Sequence, residues 1–222
     1  MKKIITLLSL IILVGMLPIT GQDISEAEVV ELINGNILQL GNQTNSNLSF
    51  IRQVGDENRS ISIQEQEGVV PNLLMMNQEG IRNSSYIEQT GLEIQTYLWQ
   101  YNLANEANVW SVGKNIMTSV KQNGERNLVN SFIENYGVSL RSAMLLQEGN
   151  QNRIDLSLKG DGFSNNRTEQ TVIINQYGNQ NEVQAFMEPF SAPIEINQYP
   201  GFRGEGMKVN ISTSTFNFPM KR

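Results

Sequence analysis

The pattern aliphatic-x-Gln-x-Gly-x-x-Asn recurs down this chain, and a segment recurring at near-regular spacing folds as stacked copies of one unit. It runs through Ile51, Gln53, Gly55 and Asn58, then through Met76, Gln78, Gly80 and Asn83. It returns at Val120, Gln122, Gly124 and Asn127, at Leu145, Gln147, Gly149 and Asn152, and at Ile174, Gln176, Gly178 and Asn181. A weaker copy, Leu98, Gln100, Asn102 and Asn105, fills the longest gap, and Ile196 and Gln198 with Pro200 close the series. Successive copies lie about 22 to 29 residues apart, the span of one solenoid coil.

Between the copies lies a looser segment centred on Gln39, Gln66, Gln89, Ser111, Asn135, Leu158 and Met187. The unit is therefore a half-coil of about 11 to 14 residues, with one step of about 18 after Leu158. An aliphatic residue generally stands two positions before each centre and a small or aliphatic one four before, as in Thr96, Leu98, Gln100 and Thr118, Val120, Gln122. A period of two is a strand signature. It turns small, aliphatic and Gln residues inward, Ile51 and Ser49 among them, and turns Arg52, Glu88, Lys121, Glu134 and Asp155 outward. The Gly and Asn that follow each Gln suit a corner, since both tolerate positive φ. The expected fold is all-β, a two-sheeted β-solenoid of about seven strand-turn-strand coils, roughly 34 Å long at about 4.8 Å per coil.

Stacking at that spacing sets Gln53, Gln78, Gln100, Gln122, Gln147, Gln176 and Gln198 in one column. Asn58, Asn83, Asn105, Asn127, Asn152 and Asn181 form a second, and Gly55, Gly80, Gly124, Gly149 and Gly178 mark the corners. A buried amide carries donors and acceptors, so a column of amides pairs each with its neighbours, whereas a lone one stays unsatisfied. The opposite column drifts from Gln to Ser, Asn, Leu and Met, so one sheet is far better specified than the other.

The chain opens with Met1-Lys2-Lys3, an apolar run from Ile4 to Leu17, Pro18, and the small residues Thr20 and Gly21. That order is a secretory signal peptide over 1–21, too short and wrongly flanked to be an anchor. Residues 22–35 form an N-terminal segment in which Ser25, Glu28 and the Val29 to Ile33 cluster suit either a short capped helix or a first strand. The repeat solenoid spans 36–202, and 203–222 is a C-terminal segment with a candidate last strand from Met207 to Phe218. No other apolar run reaches the roughly 18 residues of a membrane span. Without its signal the chain carries a net charge of about −8, which argues against nucleic acid and anionic membranes as partners. Some 45 Asn and Gln residues and no cysteine point to amide ladders, not to disulfides.

These residues resemble the curlins, secreted bacterial subunits of curli amyloid fibres, whose repeat reads Ser-x5-Gln-x-Gly-x-x-Asn-x-Ala-x3-Gln. The nearest copy is Gln78, Gly80, Asn83, Ser85, Gln89, with Ser85 at the Ala position, and Gln53, Gly55, Asn58, Ser60 follows the same order. The resemblance covers roughly residues 36 to 200. The chain departs from the pattern where the leading Ser becomes Asn47, Asn72, Ile94 or Ile116, and where the second Gln becomes Ser111, Leu158 and Met187. The resemblance implies a subunit exported unfolded through a dedicated outer-membrane pore, with chaperones, that adds to a fibre of itself or of other curlin-type subunits in biofilm matrix. Irregular repeats, the Gly160 to Arg167 insertion and the basic Lys221-Arg222 end lean towards the minor, nucleating type of subunit, with the major type still open.

No histidine is present, which removes the commonest general base and His-ligated metals. No catalytic residue, cofactor or metal is expected, and Asp161, Asn165 and Asn166 lack the acidic spacing of known Ca²⁺ loops. Outward aromatics, Trp99, Tyr101, Trp110, Tyr136, Tyr177 and Tyr199, suit cross-strand packing, and keep a second reading open: a monomeric solenoid that binds a polysaccharide or ice surface. For the fibre reading, the uncharged first coil with Ile37, Gln39 and Leu40 is the expected assembly edge, because monomeric proteins block such edges with charge, proline or caps.

Overall fold

The computed structural model describes residues 47–65, 71–137, 140–160, 169–187, 194–201 and 204–212. The signal peptide, the 22–35 segment, the edge residues Ile37, Gln39 and Leu40, Gln66, the loop from Asp161, and Lys221 with Arg222 lie outside the described residues. In chain order the strands are β1 (Leu48–Val54), β2 (Arg59–Ile63), β3 (Leu73–Ile81), β4 (Ser84–Glu88), β5 (Ile94–Leu103), β6 (Glu106–Ala107), β7 (Val112–Gly113) and β8 (Ile116–Glu125). There follow β9 (Leu128–Val129), β10 (Ile133–Asn135), β11 (Leu140–Glu148), β12 (Leu158–Gly160), β13 (Glu169–Tyr177), β14 (Glu182–Val183), β15 (Ile194–Gln198) and β16 (Lys208–Val209). There is no helix among the described residues, and the strands wind into a parallel β-solenoid of about five turns.

One wall is a single seven-stranded parallel sheet in the order β1-β3-β5-β8-β11-β13-β15. Its register stacks like on like: Leu98 faces Met76 and Val120, Gln100 faces Gln78 and Gln122, and Thr96 faces Thr118. Alternation decides what is buried. Along β5, Ile94, Thr96, Leu98 and Gln100 are buried and the residues between them are not. Leu98, Val120, Leu145 and Ile174 join Ile87, Val109, Ile154 and Leu156 from the return path in one core, where truncating a Leu or Ile to Ala costs about 2–5 kcal/mol. The first strand departs from this. Ile51 is in register with Met76 but 45% exposed, because among the described residues it has a turn on one side only.

The return path is divided. One ladder runs β2-β4-β6-β9 and continues through bridges at Arg153 to β14 and β16. The other is the short set β7-β10-β12. Where these meet, Val109, Trp110, Ser111 and Val112 have φ of 25°, 88°, 82° and 96°, and Phe132, Ile133 and Glu134 have 99°, 72° and 111°. Side chains there, several of them β-branched, are strained at roughly 1–3 kcal/mol per residue. Register also differs from the simple drift read in the sequence. Ile133, not Asn135, stands opposite Leu158, and Asn135 pairs with Gly113 and Gly160. No residue type repeats there to fix the register, and the glycines leave room for Asn135, which donates to the Asn115 carbonyl at 2.8 Å.

Candidate functional site: the amide columns

The glutamine column is continuous through the described turns. Each Nε2 donates to the next glutamine's Oε1: Gln53 to Gln78 at 2.5 Å, Gln78 to Gln100 at 2.7 Å, and Gln100 to Gln122 at 2.8 Å. The chain of bonds goes on from Gln122 to Gln147 at 2.9 Å, Gln147 to Gln176 at 2.8 Å, and Gln176 to Gln198 at 2.8 Å. The second Nε2 proton crosses the corner to a carbonyl at the start of the return path, as from Gln100 to Ser84 at 3.0 Å and from Gln122 to Glu106 at 2.9 Å. Gln78, Gln100, Gln122, Gln147, Gln176 and Gln198 are all buried, whereas Gln53 is exposed. A side-chain amide reaches the turns on both sides at once because its donor and acceptor sit on different atoms, while one hydroxyl pair, Ser142 with Thr171 at 2.8 Å, links two adjacent turns of the wall. Thr96 and Thr118, in adjacent turns of the same wall, are buried with their hydroxyls unpartnered.

The asparagine column works differently. Its Oδ1 accepts from the backbone N–H of the next turn's asparagine, Asn83 onto Asn58 at 2.9 Å, Asn105 onto Asn83 at 3.1 Å, and Asn127 onto Asn105 at 3.1 Å. Asn152 onto Asn127 at 3.0 Å and Asn181 onto Asn152 at 2.9 Å complete it. Nδ2 meanwhile donates to the corner carbonyl of the next turn, from Asn105 to Gly124 at 2.9 Å, Asn127 to Gly149 at 2.8 Å, and Asn152 to Gly178 at 2.8 Å. The asparagines are therefore not the positive-φ residues of the corner. That conformation falls on the residue before each of them, Glu57, Arg82, Ala104, Arg126, Gln151 and Gln180, all between 54° and 59°. The turn is held by the asparagine side chain, so the preceding residue is left to adopt the left-handed conformation whatever its identity.

The glycines are needed for space as well as for φ. At Gly124, with φ of 130°, an added Cβ would collide with the Gly149 carbonyl. Asn102, which replaces glycine in the weak copy, takes φ of 75°, a region that Asn enters more readily than most residues.

The sequence reading missed further ladders on the outer surface. Asn108 donates to Asn130 at 3.0 Å and Asn130 to Asp155 at 2.9 Å, each three residues beyond a column asparagine. Asn150 and Asn179, each directly after a corner glycine, accept from the backbone N–H of Glu125 and Asn150 at 2.9 and 2.8 Å. Both sets repeat at fixed offsets from the main pattern, and that was the available signal. Arg82 bridges to exposed Glu57 from one corner to the next and holds its carboxyl below the ordinary range by a hydrogen bond and by charge. Outward rings pack on one another: Tyr177 on Tyr199 with centroids 5.2 Å apart, Tyr97 on Trp99 at 5.9 Å, and Trp110 edge-on to Phe132 at 5.7 Å.

The fold and columns together define a parallel β-solenoid stacked on directional amide ladders, whose chemistry is hydrogen bonding between like turns. No family model matches this chain, and no curated protein or solved structure is significantly similar to it.

Proposed function

We propose that this chain is a secreted structural subunit of an extracellular curli-like amyloid fibre, self-assembling or nucleating by edge-to-edge β-stacking, with a role in biofilm matrix and adhesion. The observation that carries the reading is the unidirectional glutamine column, in which one rule of bonding repeats from Gln53 to Gln198. A stack built on such a rule can be extended by any chain that offers the same amide at the same height, which is how cross-β assemblies gain their stability. In this reading there are seven coils, counted from the one holding Ile37, Gln39 and Leu40, and the divided return path closes each coil as its second wall. The curlin likeness of the repeat supports the same reading and extends it to export through a dedicated pore with chaperones. The chain acts by templating and is not an enzyme; its partners are itself or other curlin-type subunits, with no nucleic acid.

The test is whether the purified mature chain forms fibres. Thioflavin binding, seeding of fresh chain, and a diffraction reflection near 4.8 Å are the expected results. A stable monomer that never seeds would sink the fibre reading. It would favour the second one, a monomeric module for a polysaccharide or ice surface, for which exposed Trp110, Tyr136 and Tyr199 are the contact candidates.

A further inference from the structure

Both amide columns come to a defined end at the C-terminal side of the stack, and the residue responsible is Met207. In every earlier described turn, one Nε2 proton of the glutamine goes forward to the next glutamine. At Gln198 that proton goes instead to the Met207 carbonyl at 2.8 Å, while the other goes to Glu182 as the pattern requires, at 3.1 Å. The Met207 N–H donates to Asn181 Oδ1 at 2.9 Å, the bond that the next asparagine's N–H makes elsewhere. Met207 thus occupies the next place in the asparagine column, and its side chain carries no amide to pass on. One peptide segment consumes the last donor of the first column and the last acceptor of the second.

The flanking residues hold that segment in place. β16 pairs with β14, Lys208 beside Glu182 and Val209 beside Val183. Val209 and Ile211 pack on the core, and the Phe186 N–H donates to the Ile211 carbonyl at 3.0 Å. Pro200 replaces the corner glycine and lies over Gly178, where an added Cβ would meet its ring at 2.9 Å. A turn follows, with the Gly204 N–H on the Gly201 carbonyl at 2.8 Å. An open cleft lined by Gln151, Arg153, Gln180, Glu182, Glu205 and Lys208 runs along the seam, and the segment is seated by backbone bonds, a few apolar contacts and the ion pair of Lys208 with Glu182 at 2.9 Å. A two-residue strand carrying a lysine, with a proline nearby, is how natural sheets close an edge.

We infer that residues 199–201 and 204–211 form a cis-acting cap that closes this end of the solenoid until a further copy of the chain displaces it. A copy arriving there would find neither a forward-pointing Gln198 proton nor an asparagine Oδ1 to receive its first N–H. This rests on the fibre reading and adds a step to it: because copies stack end to end, each addition first lifts this segment from Gln198 and Asn181.

Fibre elongation by the purified mature chain is followed by thioflavin fluorescence from a fixed number of sheared seeds. Val209→Asp with Ile211→Asp releases the segment, and its elongation rate per seed is at least fivefold higher than that of wild type. Met207→Ala keeps the capping backbone and elongates at the wild-type rate. An elongation rate of the released variant no higher than that of wild type, or a Met207→Ala rate as high as that of the released variant, overturns the cap. Should the released variant fail to fold, Met207→Pro, which removes the N–H bonded to Asn181 and sets a ring carbon in its place, is used instead. If the chain makes no fibres, the fibre reading falls, and the cap is judged separately on the monomer. Side-chain amide exchange at Gln198 is then slow in wild type and at least tenfold faster on release, and equal rates overturn it.

Discussion

The seven-stranded wall and the divided return path are made by the same turns of the same chain, yet only the first is a continuous ladder. Along the wall a glutamine recurs at every turn, and each buried amide finds a partner above and below. Along the return path, Gln89 stacks towards Ser111 and the chemistry changes at each step. Gln89 is 1% exposed with neither amide atom partnered, and the hydroxyls of Ser111 and Ser131 are likewise unpartnered. The strained φ values gather in the same stretch, at Val109–Val112 and Ser131–Asn135. Repetition of a residue with a separated donor and acceptor makes a wall cooperative. Burial alone does not, as the orphaned hydroxyls of Thr96 and Thr118 on the better wall show.

The contrast is most easily broken at a corner. Gly124→Ala forces a left-handed residue against the Gly149 carbonyl, and strain and collision together should cost about 3 kcal/mol or more. A chemical-denaturation midpoint near wild type would show that the corners are not the tight points of the stack.

Next in size is Gln122→Ala, which removes the bonds to Gln147 and Glu106 and the one from Gln100. An orphaned buried acceptor costs about 1–3 kcal/mol, so a loss of about 2–4 kcal/mol is expected by the same measurement, greater than for Gln198→Ala at the end of the column. Equal losses at the two positions would mean that the column is a set of independent pairs.

Gln89→Leu on the return path should act in the opposite direction. It exchanges a buried, unpartnered amide for an apolar group of similar size, and a gain of up to about 1 kcal/mol follows. A loss above 1 kcal/mol would show that Gln89 has a partner in solution and that the return path is bonded more like the seven-stranded wall.

The smallest effect concerns pH. Lys208, by hydrogen bond and by charge, holds the Glu182 carboxyl below its ordinary 4.5. A depressed carboxylate stabilises above its unfolded value, and the contribution is lost as pH falls through the lower folded value. Lys208 is largely exposed, so the expected change is slight: a lower amide protection factor at Val209 as pH drops from 5 to below the ordinary carboxylate value, abolished in Glu182→Gln. Exchange at Val209 that does not change with pH beyond its intrinsic dependence would remove the ion pair from the account of the cap.

By itself the sequence determined the period, the inward parity and the membership of both amide columns, because a stack at fixed spacing brings identical residues together whatever else the chain does. Leu98 beneath Val120 and Gln100 beneath Gln122 need no more than the repeat. The tertiary structure decided the rest, wherever neighbouring turns offer unlike residues. It set Ile133 and not Asn135 against Leu158, divided the return path, and assigned positive φ to the residue before each asparagine, since side-chain bonds between turns hold that corner. The role of Met207 was also decided there. Its side chain says nothing of the columns, and only the path of the last coil brings its peptide to Gln198 and Asn181, where a backbone donor and acceptor do what a further turn would have done.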